Sequence, residues 1–242
     1  MVSLLDGILP RRCLVCRRAG PLCCDGCRAT LRRIVGPICA RCGAPTVHPV
    51  GLCRDCTGPR PAFASARAAV ELDEAARRLL GGWKDRGLVS LVDTVSGLVA
   101  EVVPRPACDR ACAVPALADR ARRRGVDGPA HLARELAARW GLPPPEALLV
   151  RTSEDRQRGA RRAERRDQGR RMVAAARATG GSVLLVDDVH TTGATVDACA
   201  RALRRAGADA VHVVTFARAT ARLLPSARCA GSPTPRRSPW RS

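Results

Sequence analysis

The sequence predicts an α/β protein: a parallel sheet flanked by helices, with a small cysteine-rich module ahead of it. Three observations carry that expectation. Val183-Leu184-Leu185-Val186 is the unbroken apolar run of a strand buried on both faces. A loop of small residues, a helix-length segment to Arg205 and a second apolar run from Val211 to Phe216 follow it. Strand, helix, strand in that order is a right-handed parallel crossover. Nine of the 13 cysteines precede residue 57, in a stretch rich in Gly and Pro that cannot bury much apolar surface without a staple.

Taken in order, the cysteine-rich module runs from residue 1 to 60 and is closed by Gly58-Pro59-Arg60-Pro61. Ser65 to Leu72 alternates loosely and is expected as an edge strand. Glu71 to Trp83 has helical spacing interrupted at Gly81-Gly82, and Leu88 to Val103 reads as a second helix stopped by Pro104. Ala111 to Val114 is a short apolar run ended by Pro115. Pro129 to Trp140 suits a helix with Pro in its first turn and Gly141 just past its end. Leu148 to Arg151 is a candidate strand, Ser182 to Val189 the central one, and Ala194 to Arg205 the crossover helix. The main domain is expected over 61–225. Residues 226–242, rich in Ser, Pro and Arg, are expected to form a disordered tail.

With 46% hydrophobic residues but only 2% aromatic and no Tyr, the core must be mostly Ala, Val and Leu. No uncharged apolar stretch is long enough to span a membrane. Met1 to Pro10 contains Asp6 and lacks a basic region ahead of its apolar run, which argues against a secretory signal. The expectation is a cytoplasmic protein with no membrane insertion. The net charge of +20 suits phosphate-rich partners. The same charge is almost all Arg, with Lys84 the only lysine, so a compositional bias of a GC-rich genome competes with that reading.

The richest chemistry lies in Val183 to Thr195. Asp187 and Asp188 stand at the carboxyl end of a buried strand, where open parallel sheets bind ligands. Thr191, Thr192, Gly193, Ala194 and Thr195 lead into a helix whose N-terminus favours an anion. Gly193 allows close backbone approach. Carboxylates repel a bare phosphate but suit hydroxyls and a divalent cation, so the ligand should carry a phosphate beside a diol. Helix capping explains one Thr or one Asp, not two acids, three Thr and a Gly in thirteen residues. No Lys precedes the final Thr, which excludes a Walker loop.

The cysteines pair as Cys13/Cys16, Cys24/Cys27, Cys39/Cys42 and Cys53/Cys56. A two-residue gap brings two thiolates to one tetrahedral ion, and eight ligands suffice for two Cys₄ zinc sites in a zinc-ribbon-like module. The spacing leaves open whether the pairs combine in sequence or cross-brace. A redox CxxC would occur once beside a βαβ pattern, and iron–sulfur spacings differ. Cys23 is spare, and Cys108, Cys112, Cys199 and Cys229 read as buried or tail thiols. His131 and His212 read as structural, His190 as a tolerated loop residue.

The segment Val183 to Thr195 resembles the phosphoribosyl pyrophosphate signature of type I phosphoribosyltransferases. The resemblance implies that Asp187 and Asp188, the catalytic pair, hold the ribose 2′- and 3′-hydroxyls, that Thr191 to Thr195 cradle the 5′-phosphate, and that Mg²⁺ accompanies the ligand. A Cys₄ module ahead of that signature resembles the ComF family, associated with natural competence, the uptake of transforming single-stranded DNA. Two more stretches fit: Trp83-Lys84-Asp85-Arg86-Gly87 is similar to the family's Lys-x-Arg-Gly turn, and Ala163-Glu164-Arg165-Arg166 to its Arg-rich segment. Lys84, Arg86, Pro115 and Ala116 are thereby expected around the substrate. The chain departs from the family's Val-Pro-Val-Pro-Leu-His and Arg-Gly-Phe-Asn-Gln at Cys112-Ala113-Val114-Pro115-Ala116-Leu117 and Arg124-Gly125-Val126-Asp127-Gly128. The first of these loops would hold pyrophosphate, so the departure bears on catalysis more than on ribose-phosphate binding.

Arg158, Arg161, Arg162, Arg165 and Arg166 would share one helical face, a stripe able to meet pyrophosphate or a nucleic-acid backbone. No aromatic residue interleaves it, so base stacking is not indicated. Two functions follow as expectations. One is a Mg²⁺-dependent transferase acting on phosphoribosyl pyrophosphate. The other is a non-catalytic module on the same fold that senses the ribose phosphate or binds single-stranded DNA and competence proteins.

Overall fold

The computed structural model describes residues 11–58, 60–116, 127–151, 173–176 and 180–220. The stripe from Arg158 to Arg166, the basic stretch Arg120 to Arg124, Cys229 and the tail lie outside them. Four strands form one parallel sheet: β1 (Ser65–Glu71), β2 (Arg110–Ala113), β5 (Ser182–His190) and β6 (Ala210–Arg218), in the order β1-β6-β5-β2. Two short strands, β3 (Leu149–Arg151) and β4 (Val173–Ala175), pair antiparallel apart from it. The helices are α1 (Asp25–Thr30), α2 (Arg54–Thr57), α3 (Glu74–Asp85), α4 (Leu91–Val102), α5 (Gly128–Trp140) and α6 (Ala194–Arg205).

The period of two along β5 explains its continuous apolar run. Leu184 and Val186 face a core shared with α3, α4 and α5, whereas Val183 and Leu185 face one shared with α6. Both cores also take residues from the cysteine-rich module. Leu14 and Leu31 pack on the first, Cys39, Cys42 and Cys56 on the second. The module further covers the outer edge of β1. The Ile34 amide donates to Ala69 at 2.9 Å, and the Glu71 amide donates to Arg32 at 2.8 Å. A strand edge left bare would be a template for unwanted pairing.

Three expectations change. Gly81-Gly82 does not interrupt α3, which runs on to Asp85. A Cβ on Gly82 would stand 2.3 Å from Leu14 Cδ1 and 3.1 Å from Leu91 Cδ1, so the glycine admits the module and the next helix rather than breaking this one. The second helix starts at Leu91, because the turn after α3 places Gly87 at a positive φ of 63°. His190 belongs to β5, not to the loop, because β6 extends far enough to pair it with Arg218. Gly141 ends α5 in the left-handed region, as expected, and the helix starts are capped by Asp73, which accepts from the Ala76 amide, and Asp127, which accepts from the Ala130 amide.

The chain leaves β2 toward α5 on one face and β5 toward α6 on the other. The carboxyl ends of β2 and β5 therefore form a topological switch point, where open α/β sheets bind ligands.

Candidate functional site

Pairing between β2 and β5 ends at Ala113 and Val186, so residues 187–190 of β5 project past their neighbour on that side. Asp187 and Asp188 occupy that projection. The Asp188 amide donates to Asp187 Oδ1 at 2.8 Å, which turns the first carboxylate back toward the backbone. Asp188 Oδ2 forms an ion pair with Lys84 Nζ, delivered by the last turn of α3. Burial first, and the Asp188 charge second, push the Asp187 carboxyl well above the usual carboxylate range, with Lys84 partly opposing. The lone lysine thus meets the acidic pair although about a hundred residues separate them in sequence.

Thr191, Thr192 and Thr195 are exposed around Gly193, whose φ of +78° only glycine adopts readily. The Ala194 amide donates to Thr192 Oγ1 at 3.4 Å. The Asp197 amide makes the first intrahelical bond of α6, to the Gly193 carbonyl, so the amides ahead of it have no partner within the helix. The Asp197 carboxylate in turn accepts from the Ala62 amide at 2.7 Å and from Arg201 at 3.0 Å, pinning the helix start. Pro115 and Ala116 follow β2 directly, and the Pro115 carbonyl accepts from Arg151 Nε at 2.7 Å. Arg86 is exposed at the end of α3, its guanidinium resting near Gly82.

Two residues here escape sequence reading. His190 is 4% exposed and lies under Gly193, and Arg218, its register partner on β6, is 8% exposed. Arg218 Nη1 lies 2.9 Å from His190 Nδ1 and donates to the Cys42 carbonyl at 2.7 Å. His190 lies within the Val183 to Thr195 segment but carries no role there, and Arg218 belongs to no recognisable motif. Only the strand register brings them together.

The cysteine pairs combine in sequence. Cys13, Cys16, Cys24 and Cys27 form one knot, and Cys39, Cys42, Cys53 and Cys56 the other, with the four sulfurs of each within 4.8 Å of one another. Four thiolates about 2.3 Å from a tetrahedral ion stand about 3.8 Å apart. The Cys16–Cys24 and Cys42–Cys53 sulfurs, at 3.8 and 3.6 Å, fit that spacing. Burial pushes the Cys13 thiol up, but backbone N–H groups of Cys16, Cys24 and Val15 outweigh it and hold it at about 6. Cys39 is likewise held at about 7, and the Cys53 amide lies 3.2 Å from its sulfur. Cys27 is instead pushed to about 12, by burial first and its neighbouring thiols second. The four convergent sulfurs of each knot are the donor set of structural zinc, and a bound dication would hold all four as thiolates.

Residues 4–57 match the double zinc ribbon domain, and residues 123–232 the phosphoribosyl transferase domain. The chain is 27% identical over 210 residues to Competence protein ComFC of Bacillus subtilis, covering 80% of this chain and 82% of that protein. Among solved structures it is similar to the allosteric regulatory enzyme of purine biosynthesis, with a TM-score of 0.39, 27% identity and 52% of this chain covered. It spans only 25% of that enzyme's chain. It is also similar to orotate phosphoribosyltransferase from Aeropyrum pernix, with a TM-score of 0.36 and 23% identity, over 64% of this chain and 70% of that one. The double zinc ribbon, the phosphoribosyl transferase domain and the likeness to ComFC over most of the chain together support a ComF-family protein.

Proposed function

We propose that this protein binds phosphoribosyl pyrophosphate at the carboxyl ends of β2 and β5 and, with Mg²⁺, transfers the phosphoribosyl group to an acceptor. The observation that carries the reading is the acidic pair. Asp187 and Asp188 stand beside one ammonium, Lys84, at the mouth of a loop whose threonines are exposed and whose first helical amides have no partner within the helix. Carboxylates accept from ribose hydroxyls, and the helix start attracts the 5′-phosphate. Burial first, and the Asp188 charge second, favour the protonated form of Asp187, and an oxygen-coordinated divalent cation arriving with the ligand would oppose that and hold both carboxylates ionised. Mg²⁺ bound with the ligand would neutralise charge on the departing pyrophosphate. The chain's own work is positional: the acidic pair fixes the sugar and the loop fixes its phosphate. In the transfer, the bond from the anomeric carbon to pyrophosphate breaks, its electrons leave with pyrophosphate, and a bond to the acceptor's nucleophile forms. The likeness to a competence protein supports a setting in DNA uptake.

A second reading, a non-catalytic ribose-phosphate or single-stranded-DNA module, is favoured by the altered loop Cys112 to Leu117. Pyrophosphate release separates the two. Titration calorimetry with phosphoribosyl pyrophosphate, with and without Mg²⁺, tests the common part. Asp187→Asn with Asp188→Asn should weaken binding about a hundredfold or more, since hydrogen bonds to a charged group contribute about 1.5–3 kcal/mol each. Unaltered binding in the double variant, at unchanged fold, ends the assignment.

A further inference from the structure

The ring beneath the phosphate loop has two nitrogens in different surroundings. His190 Nδ1 lies 2.9 Å from Arg218 Nη1. A guanidinium only donates hydrogen bonds, so Nδ1 accepts and the proton of the neutral ring sits on Nε2. Burial, and then the Arg218 charge, keep that ring neutral. Nε2 is buried without a hydrogen-bond partner and would lie 3.0 Å from a Cβ on Gly193. Because residue 193 is glycine, no side chain separates this donor from the loop above it. Phe63 packs edge-on against the ring, centroids 6.3 Å apart, and limits its rotation.

Arg218 is equally constrained. Its guanidinium donates to the Cys42 carbonyl at 2.7 Å and approaches the Cys42 sulfur at 3.6 Å. A Cys₄ zinc knot carries surplus negative charge, so a buried guanidinium is well placed against it. Sheet register, His190 against Arg218, then carries that brace to the loop.

We propose that His190 is a further ligand-contacting residue of the ribose-phosphate site, offering Nε2–H to the anion from beneath Gly193, and that Arg218, braced on Cys42, fixes this tautomer. The inference rests on the ribose-phosphate reading above. It makes the second cysteine knot a support of the anion site as well as of the fold. The helix amides and threonine hydroxyls approach the anion at the loop, and the imidazole adds a donor from the strand.

The test is nitrogen NMR of the histidine rings in the full chain, which has four histidines, titrated with phosphoribosyl pyrophosphate and separately with inorganic phosphate. The free protein should show His190 as the Nε2–H tautomer, and both ligands should shift that nitrogen. His190→Phe keeps a planar ring and removes the donor, so affinity for phosphoribosyl pyrophosphate should fall about tenfold to a hundredfold. An unmoved Nε2 signal on a wild-type chain that does bind overturns the donor role and leaves the ribose-phosphate reading standing. So does equal binding by the Phe variant. A wild type that binds neither ligand overturns the reading, and the donor role with it. Should the Phe variant fail to fold, the wild-type spectra decide alone.

Discussion

Gly193→Ala separates two costs that the structure places at one residue. The first is conformational: φ is +78°, and a left-handed backbone costs a residue with a Cβ about 1–2 kcal/mol. The second is steric, since the added Cβ would lie 3.0 Å from His190 Nε2 and 3.1 Å from Cε1. The ring has little room to retreat, because Arg218 holds Nδ1 and Phe63 packs edge-on against it. Overpacking of this kind costs about 1–3 kcal/mol, so the variant should lose about 2–5 kcal/mol in all. For a chain of this size that is a fall in Tm on the order of 5–15 °C. Gly141→Ala is the control: it shares a positive φ, 63°, but its Cβ would meet nothing within 4 Å, so it bears the backbone cost alone. Thermal and urea unfolding of both variants at fixed zinc gives the difference. Equal losses at the two glycines would refute the claim that His190 packs as a rigid floor under the loop.

Elemental analysis should find two zinc ions per chain, one for each knot, and chelation should loosen both faces of the sheet, because Leu14 and Cys39 enter opposite cores. A protein fully folded without metal contradicts this. The His190 ring, held down at about 4 by burial and by Arg218, binds its proton more weakly folded than unfolded. Its contribution is therefore complete above about 6.5 and declines toward pH 4, by at most about 1.4 kcal/mol per unit. Comparing wild type with His190→Phe from pH 6.5 to 5 should show the shallower slope in the variant, and identical slopes would refute the assignment. Single-stranded DNA should bind with little sequence preference and weaken steeply with salt. Charge reversal at Arg161, Arg162, Arg165 and Arg166 that leaves binding unchanged would exclude that stripe.

What the sequence made legible was whatever repeats locally. The β5–α6–β6 crossover shows itself through apolar runs flanking a loop, and the cysteine knots through fixed two-residue gaps. The strand β4 did not, because three residues, Val173 to Ala175, are too few for a period to appear. Glycine misled at Gly82: local propensity reads it as a break, whereas contact with Leu14 and Leu91 makes its missing side chain a packing requirement.

The same distinction separates the two layers of the site. Asp187 to Thr195 is contiguous, so motif chemistry suffices to find it. Lys84, Arg218 and Cys42 are scattered, and only folding brings Lys84 to Asp188 and Arg218 to His190. A buried imidazole N–H without a partner costs stability. Here it sits under the one glycine of the loop, on a strand clamped to a zinc ligand through a buried arginine. Each of those features alone has an ordinary structural explanation. Together they place a fixed donor beneath an anion-attracting helix start, and a ligand oxygen reaching it would relieve the cost that the free protein carries.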